Sequence, residues 1–245
     1  MEALKIENLS KHFGGVYALN EVSLQVNQGE LVGLLGPNGS GKTTLFNCVA
    51  GSYRVDGGQI YLQGKNITGW KTEKISEAGL YRTFQLPRVF PELNLLQNVL
   101  LSQAHYKESL VDILFTRSSP ELRERAREYI DFVGLTRLIQ EPAGSLSGGQ
   151  QKLLELASAF MKDPKVILLD EPTGGVNPTL INEIKKMILE MNDSGKTFLV
   201  IEHNMEVIMD IAQRIYVLDY GELIAEGRPE EIRTNNQVLE AYFGR

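Results

Sequence analysis

Apolar and polar positions alternate through the first sixty residues. Leu4-Lys5-Ile6-Glu7-Asn8-Leu9 has the period-two pattern of a half-buried strand, and Val22, Leu24 and Val26 repeat it before the turn signal Asn27-Gln28-Gly29. Leu31 to Leu35 is an unbroken apolar run that leads through glycines into a helix-like stretch, Thr43 to Ala50. Asp56-Gly57-Gly58 then marks a turn ahead of the alternating Ile60-Tyr61-Leu62. From about Leu95 to Leu138 the character changes. Ser118-Ser119-Pro120 suits a helix start, and Glu121 to Phe132 is charged and helix-favouring. Beyond it, Val166–Leu169, Thr197–Ile201 and Ile215–Leu218 read as strands. Ile181, Ile184, Ile188 and Met191 mark one face of a helix that starts at Asn177-Pro178 and ends before Gly195. Alternating β and α units predict an α/β fold with a largely parallel sheet covered by helices. The expectation is one domain over 1–245, with a helical subdomain at about 95–160 inserted in the α/β core.

Composition narrows the class. The 245 residues are 42% hydrophobic and 23% charged, which excludes disorder and collagen-like structure. Lys+Arg number 25 against 31 Asp+Glu, a net charge of −6, so no nucleic-acid partner is expected: neutralising phosphates needs a basic surplus. The single cysteine, Cys48, can form neither an internal disulfide nor a thiolate metal site, and reads as a small buried hydrophobe. The start, Met1-Glu2-Ala3-Leu4-Lys5, lacks the cationic and apolar regions of a signal peptide. No run approaches the ~18 apolar residues of a membrane span. The expectation is a soluble, cytosolic protein.

Three segments carry chemistry. Gly36-Pro37-Asn38-Gly39-Ser40-Gly41-Lys42-Thr43, followed by Thr44, fits G-x-x-x-x-G-K-[ST] between a strand and a helix. Glycines let backbone N–H groups curl into a nest for phosphates, and the helix N-terminus adds partial positive charge. Lys42 can reach the β- and γ-phosphates, and the Thr43 hydroxyl can ligate Mg²⁺. Val166-Ile167-Leu168-Leu169-Asp170-Glu171 is an apolar strand ending in two carboxylates, where open parallel sheets bind ligands. Asp170 is placed to hold Mg²⁺ or its water, and Glu171 to orient an attacking water and take its proton. Leu146-Ser147-Gly148-Gly149-Gln150 opens a helix whose apolar face is Leu153, Leu156, Ala157, Phe160 and Met161. Its hydroxyl, free N–H groups and dipole make a second anion site. One chain has no obvious need for two phosphate sites, whereas two chains sharing each nucleotide do.

Leu146 to Gln150 is similar to the full signature sequence of ABC-type ATPases, and it lies between the P-loop and the Asp170-Glu171 strand as in that family. The resemblance covers essentially the whole chain. It implies a P-loop NTPase core of ABC-ATPase type, with an antiparallel β subdomain and a helical insertion. It also implies a head-to-tail dimer in which Ser147 and Gly149 of one chain close over ATP on the other. Gln85, in Arg82-Thr83-Phe84-Gln85, matches the glutamine that senses Mg²⁺ and the attacking water; His203 matches the switch histidine at the γ-phosphate. Phe13 matches the aromatic that stacks on adenine, with Tyr17 as the nearby alternative. There is one departure: Gly174-Gly175-Val176-Asn177-Pro178 has Asn177 where the family commonly has aspartate, keeping the helix cap and losing the charge.

Narrower motifs resemble the ATP-binding subunits of branched-chain and other hydrophobic amino-acid importers: Arg82-Thr83-Phe84-Gln85, Gly175-Val176-Asn177-Pro178, Ile201-Glu202-His203-Asn204-Met205 and Ala241-Tyr242-Phe243-Gly244. Urea importers and lipopolysaccharide-export ATPases are close in pattern. The resemblance implies ATP hydrolysis with ATP and Mg²⁺ as cofactors, in a homodimer or in a heterodimer with a homologous ATPase. Integral membrane permease subunits supply the pore, a solute-binding protein takes part indirectly, and the chain sits peripherally on the inner face of the membrane. A complete Gln85, Glu171 and His203 set argues against a module that binds ATP without turnover. A DNA-repair or ribosome-associated ATPase is disfavoured because neither long coiled coils nor a second cassette occurs, and a GTPase because N-K-x-D is missing.

Overall fold

The N-terminal alternation folds as two antiparallel strands in the computed structural model, which describes residues 1–83, 87–103 and 119–243. These strands are β1 (Glu2–Phe13) and β2 (Val16–Asn27). With β4 (Gly57–Leu62) and β5 (Lys65–Asn66) they make an antiparallel sheet of order β2-β1-β4-β5.

A second sheet is built from β3 (Leu31–Leu35), β6 (Leu80–Arg82), β7 (Val166–Asp170), β8 (Thr197–Ile201), β9 (Arg214–Asp219) and β10 (Glu222–Gly227). Its order is β10-β9-β3-β8-β7-β6, parallel throughout except for the β9–β10 hairpin. Every residue of β3, β7 and β8 is buried, which is why these strands read as apolar runs rather than as alternation.

The chain divides into two compact units. The first comprises Met1–Arg82, Lys165–Glu171 and Asn192–Arg245, and so holds both sheets. Its core is one apolar cluster joining Leu4, Ile6 and Leu62 of the antiparallel sheet, Leu34, Leu168 and Ile201 of the parallel sheet, and Phe46 and Val49 of α1 (Lys42–Val49). Cys48 belongs to the same cluster, 3% exposed, and burial pushes its thiol up to about 11. The unit also carries α2 (Thr72–Glu77), α7 (Met205–Ile211), α8 (Pro229–Arg233) and α9 (Asn236–Phe243).

The second unit comprises Thr83–Pro164 and Pro172–Met191. Here α3 (Leu95–Leu101), α4 (Pro120–Phe132) and α5 (Gly148–Met161) pack together, with the rings of Tyr129 and Phe132 against Phe160. Ser119 caps α4 and Asn94 caps α3, the latter in a reciprocal box with Gln97. Asn98 is buried and staples the preceding loop: it accepts the Phe90 N–H and donates to the carbonyls of Phe90, Leu93 and Asn94. The helix α6 (Pro178–Asp193) runs from this unit into the first. Asn177 accepts the Leu180 N–H at 2.9 Å, so the cap read from the sequence is in place.

Candidate functional site at the carboxyl edge of the parallel sheet

The neighbouring parallel strands β3, β8 and β7 end at the same edge of the sheet, and each end carries polar chemistry. The Gly36–Thr43 loop follows β3, Glu202-His203 follows β8, and Asp170-Glu171 closes β7. This is the edge at which open α/β sheets bind ligands.

The loop's glycines are required by geometry. A side chain on Gly36 would place its Cβ 2.1 Å from the Leu218 carbonyl oxygen, and one on Gly41 would lie 2.4 Å from that of Ala18. Asn38, Gly39 and Thr43 are exposed, while Pro37, Gly41 and Thr44 are half-buried and Ser40 is buried. Lys42 is 5% exposed and folds back on the loop, donating to Gly36 O at 2.7 Å, Pro37 O at 2.9 Å and Ser40 Oγ at 3.3 Å. Burial pulls its pKa below the ordinary lysine value, against the opposing pull of Glu171 and Asp170. The loop is also braced from the C-terminal part of the chain. The Gly221 N–H donates to Ser40 O at 2.9 Å, and the Gly36 N–H donates to the Tyr242 hydroxyl at 2.7 Å.

Asp170 is 3% exposed, and burial raises its carboxyl above the usual range while a hydrogen bond and charge from Arg82 work the other way. Arg82 donates to Asp170 Oδ2 at 3.0 Å and to Asn47 Oδ1 on α1 at 2.6 Å. Glu171 has φ +52°, a backbone region that L-residues enter only when their surroundings hold them there. Its N–H donates to Ile201 O at 2.9 Å, and its Oε1 meets His203 Nε2. The strand-end carboxylate is thus fixed at both backbone and side chain. Thr43 is exposed near the start of α1 and the Asp170 carboxylate is buried at the end of β7; both are oxygen donors of the kind Mg²⁺ takes.

Phe13 lies in the first unit with its ring 48% exposed, Tyr53 edge-on at 5.4 Å and the Lys11 ammonium 5.2 Å from its centroid. Tyr17 is 64% exposed and neighbours His12. Ser147, Gly148, Gly149 and Gln150 lie in the second unit, where Ser147 caps α5 in a reciprocal box with Gln150. Gln85 lies outside the described residues. Sequence reasoning missed roles for Arg82, Asn47, Tyr53 and Tyr242. Arg82 and Tyr242 stood inside quoted motifs, but their partners are 88 and 206 residues away.

Residues 19–174 match the ABC transporter family profile, and residues 222–245 match that of the branched-chain amino acid ATP-binding cassette transporters. The chain belongs to the ABC transporter family. It is an ABC-type ATPase cassette, and nucleotide binding comes with that membership. It is 40% identical to the probable branched-chain amino acid transport ATP-binding protein LivG of Archaeoglobus fulgidus, over 100% of this chain and 96% of that one. It resembles the ADP conformation of MJ1267, an ATP-binding cassette of an ABC transporter, with a TM-score of 0.88, 38% identity and full coverage of both chains. The dimeric post-hydrolysis state of the cassette MJ0796, bound to ADP and Pi, matches with a TM-score of 0.80 and 28% identity, over 92% of this chain and 98% of that one. No helix of this cassette among the described residues is long and apolar enough to cross a membrane.

Proposed function

We propose that this cassette hydrolyses ATP to drive import of branched-chain or similar hydrophobic amino acids through separate membrane subunits, at the inner face of the membrane. The observation that carries the chemistry is the fixed Glu171 carboxylate, which shares one sheet edge with the Lys42 loop. In this reading the backbone N–H groups of Gly39 and residues 41–44 receive the phosphates, and Lys42 exchanges loop oxygens for β- and γ-phosphate oxygens. Phe13 supports the adenine. Glu171 aligns a water and takes its proton as the water oxygen bonds to the γ-phosphorus. The bond from phosphorus to the bridging oxygen breaks, and ADP leaves with its electron pair. His203 holds the Glu171 carboxylate in register and faces the γ-phosphate. Thr43 and Asp170, with Gln85, would hold a Mg²⁺, which would supply positive charge to the phosphates.

Ser147, Gly148, Gly149 and Gln150 act on the nucleotide of a second cassette, identical or homologous. Gly148 supports that assignment: a Cβ there would meet nothing within 4 Å among the described residues, so their packing does not call for glycine. The 40% identical LivG relative supports amino acids over urea or lipopolysaccharide as cargo.

The test is phosphate release by the purified chain and by Glu171→Gln. The variant should bind ATP and accumulate as an ATP-bound dimer while hydrolysis falls by about 10²-fold or more. Near-normal turnover would remove Glu171 from the role. Uptake by the cassette reconstituted with its membrane subunits in vesicles would test the cargo, with leucine expected to be carried and urea not.

A further inference from the structure

The end of the chain reaches the root of the phosphate loop. Asn235 caps α9 by accepting the N–H groups of Gln237 and Val238, and Val238 and Ala241 are buried as the helix packs within the first unit. This docking sets the half-buried Tyr242 with its hydroxyl 2.7 Å from the Gly36 N–H. Gly36 is the residue at which β3 stops and the loop begins, and it has no room on its other side, where the Leu218 carbonyl stands. A buried amide at that point needs a hydrogen-bond acceptor, and the Tyr242 hydroxyl supplies one. Burial pushes the Tyr242 hydroxyl above its ordinary pKa, so at neutral pH it is a neutral phenol. Tyr242 falls within 222–245, the stretch that matches the branched-chain cassette profile rather than the general ABC profile.

We propose that α9 is part of the nucleotide site, with Tyr242 a positioning residue whose hydroxyl fixes the first residue of the phosphate loop. This inference rests on the nucleotide reading of that loop. If the hydroxyl holds the loop in its binding shape, docking of α9 and binding of nucleotide are linked, and the linkage is reciprocal. Nucleotide steadies α9, and whatever undocks α9 loosens nucleotide.

The test compares wild type with Tyr242→Phe, which keeps the ring and removes only the oxygen. ADP affinity is measured by calorimetry, so that turnover plays no part. The variant should bind ADP roughly threefold more weakly or worse, the scale of one hydrogen bond, and its Gly36 amide should exchange faster with solvent. In unaltered protein, ADP should slow hydrogen exchange along α9. A purely structural role would lower the melting temperature and leave ADP affinity unchanged. Unchanged affinity in the variant, with no protection of α9 by ADP in wild type, overturns the inference while the loop reading stands. Failure of wild type to bind ADP overturns both.

Discussion

Arg82 and Asp170 form a buried ion pair, with side chains 6% and 3% exposed and a nitrogen–oxygen distance of 3.0 Å. The same guanidinium holds Asn47, so one side chain ties the end of β7 to the helix that follows the phosphate loop. Arg82→Met leaves a carboxylate buried without its cation and should cost on the order of 3 kcal/mol in denaturant unfolding. Arg82→Lys should recover only part, because an ammonium does not fork as a guanidinium does. Adding Asp170→Asn to Arg82→Met should cost less than the sum of the single changes. Strict additivity would mean that the pair is not the reason for Arg82.

Phe13→Ala should weaken adenine nucleotides by about 1–3 kcal/mol, the range of base stacking on an aromatic ring. Tyr53→Ala should have a smaller effect, since Tyr53 meets Phe13 edge-on and acts by holding the ring. Tyr17→Ala should leave affinity unchanged. A loss confined to Tyr17→Ala would move the stacking role to that residue.

Gly148 and Gly149 should separate by mechanism. A Cβ on Gly149 would lie 2.6 Å from the tip of the half-buried Leu180 side chain, which must swing aside, so Gly149→Ala should lower stability slightly, by about 0.5 kcal/mol or less. Gly148→Ala has open space and should melt at or above the wild-type temperature. Its hydrolysis should nevertheless fall by about tenfold or more if a second cassette's nucleotide approaches there. Full activity in Gly148→Ala would remove that residue from the shared site.

Phe90 is 51% exposed, in a loop held by Asn98 rather than by the ring itself. Phe90→Ala should therefore stay within about 0.5 kcal/mol of wild-type stability and bind ATP, yet copurify poorly with the membrane subunits. Asn98→Ala strips the loop of its staple and should destabilise the chain outright. Normal assembly and transport by Phe90→Ala would show that this exposed ring is not an anchor for the membrane subunits.

Asp56 accepts hydrogen bonds from the His12 N–H at 2.8 Å and the Lys11 ammonium at 3.0 Å. The His12 backbone bond, then Lys11, holds its carboxyl below the usual range. A depressed carboxyl contributes stability that is complete above its unfolded pKa and is lost as pH falls through the lower folded value. The stability gap between wild type and Asp56→Asn, followed by thermal melting, should be open at about pH 6 and close below about pH 4. A gap that persisted in acid would point to the shape of the turn instead of its charge.

Much of this fold is legible because its strongest signals are local. The apolar runs of β3, β7 and β8, the alternation of β1 and β2, and the caps at Ser119 and Asn177 are each set by residues a few positions apart. The phosphate loop is likewise contiguous. By contrast, β6 has only three residues, and β10 (Glu-Leu-Ile-Ala-Glu-Gly) lacks a clear period, so each is a strand chiefly because a neighbour completes its ladder. The Arg82–Asp170 pair and the Tyr242–Gly36 contact depend on which strands become neighbours. That information resides in the folded topology rather than in any window of sequence.

The burial of Cys48 makes the unaltered chain its own labelling background. With the thiol at about 11, on the order of one molecule in ten thousand carries a thiolate at pH 7, and that sulfur is enclosed by the core. A fluorophore or spin label aimed at a cysteine newly placed on α9 or beside Gly148 would report from that position alone. The motion of the C-terminal helix and the approach of a second cassette can therefore be followed without first removing the native sulfur.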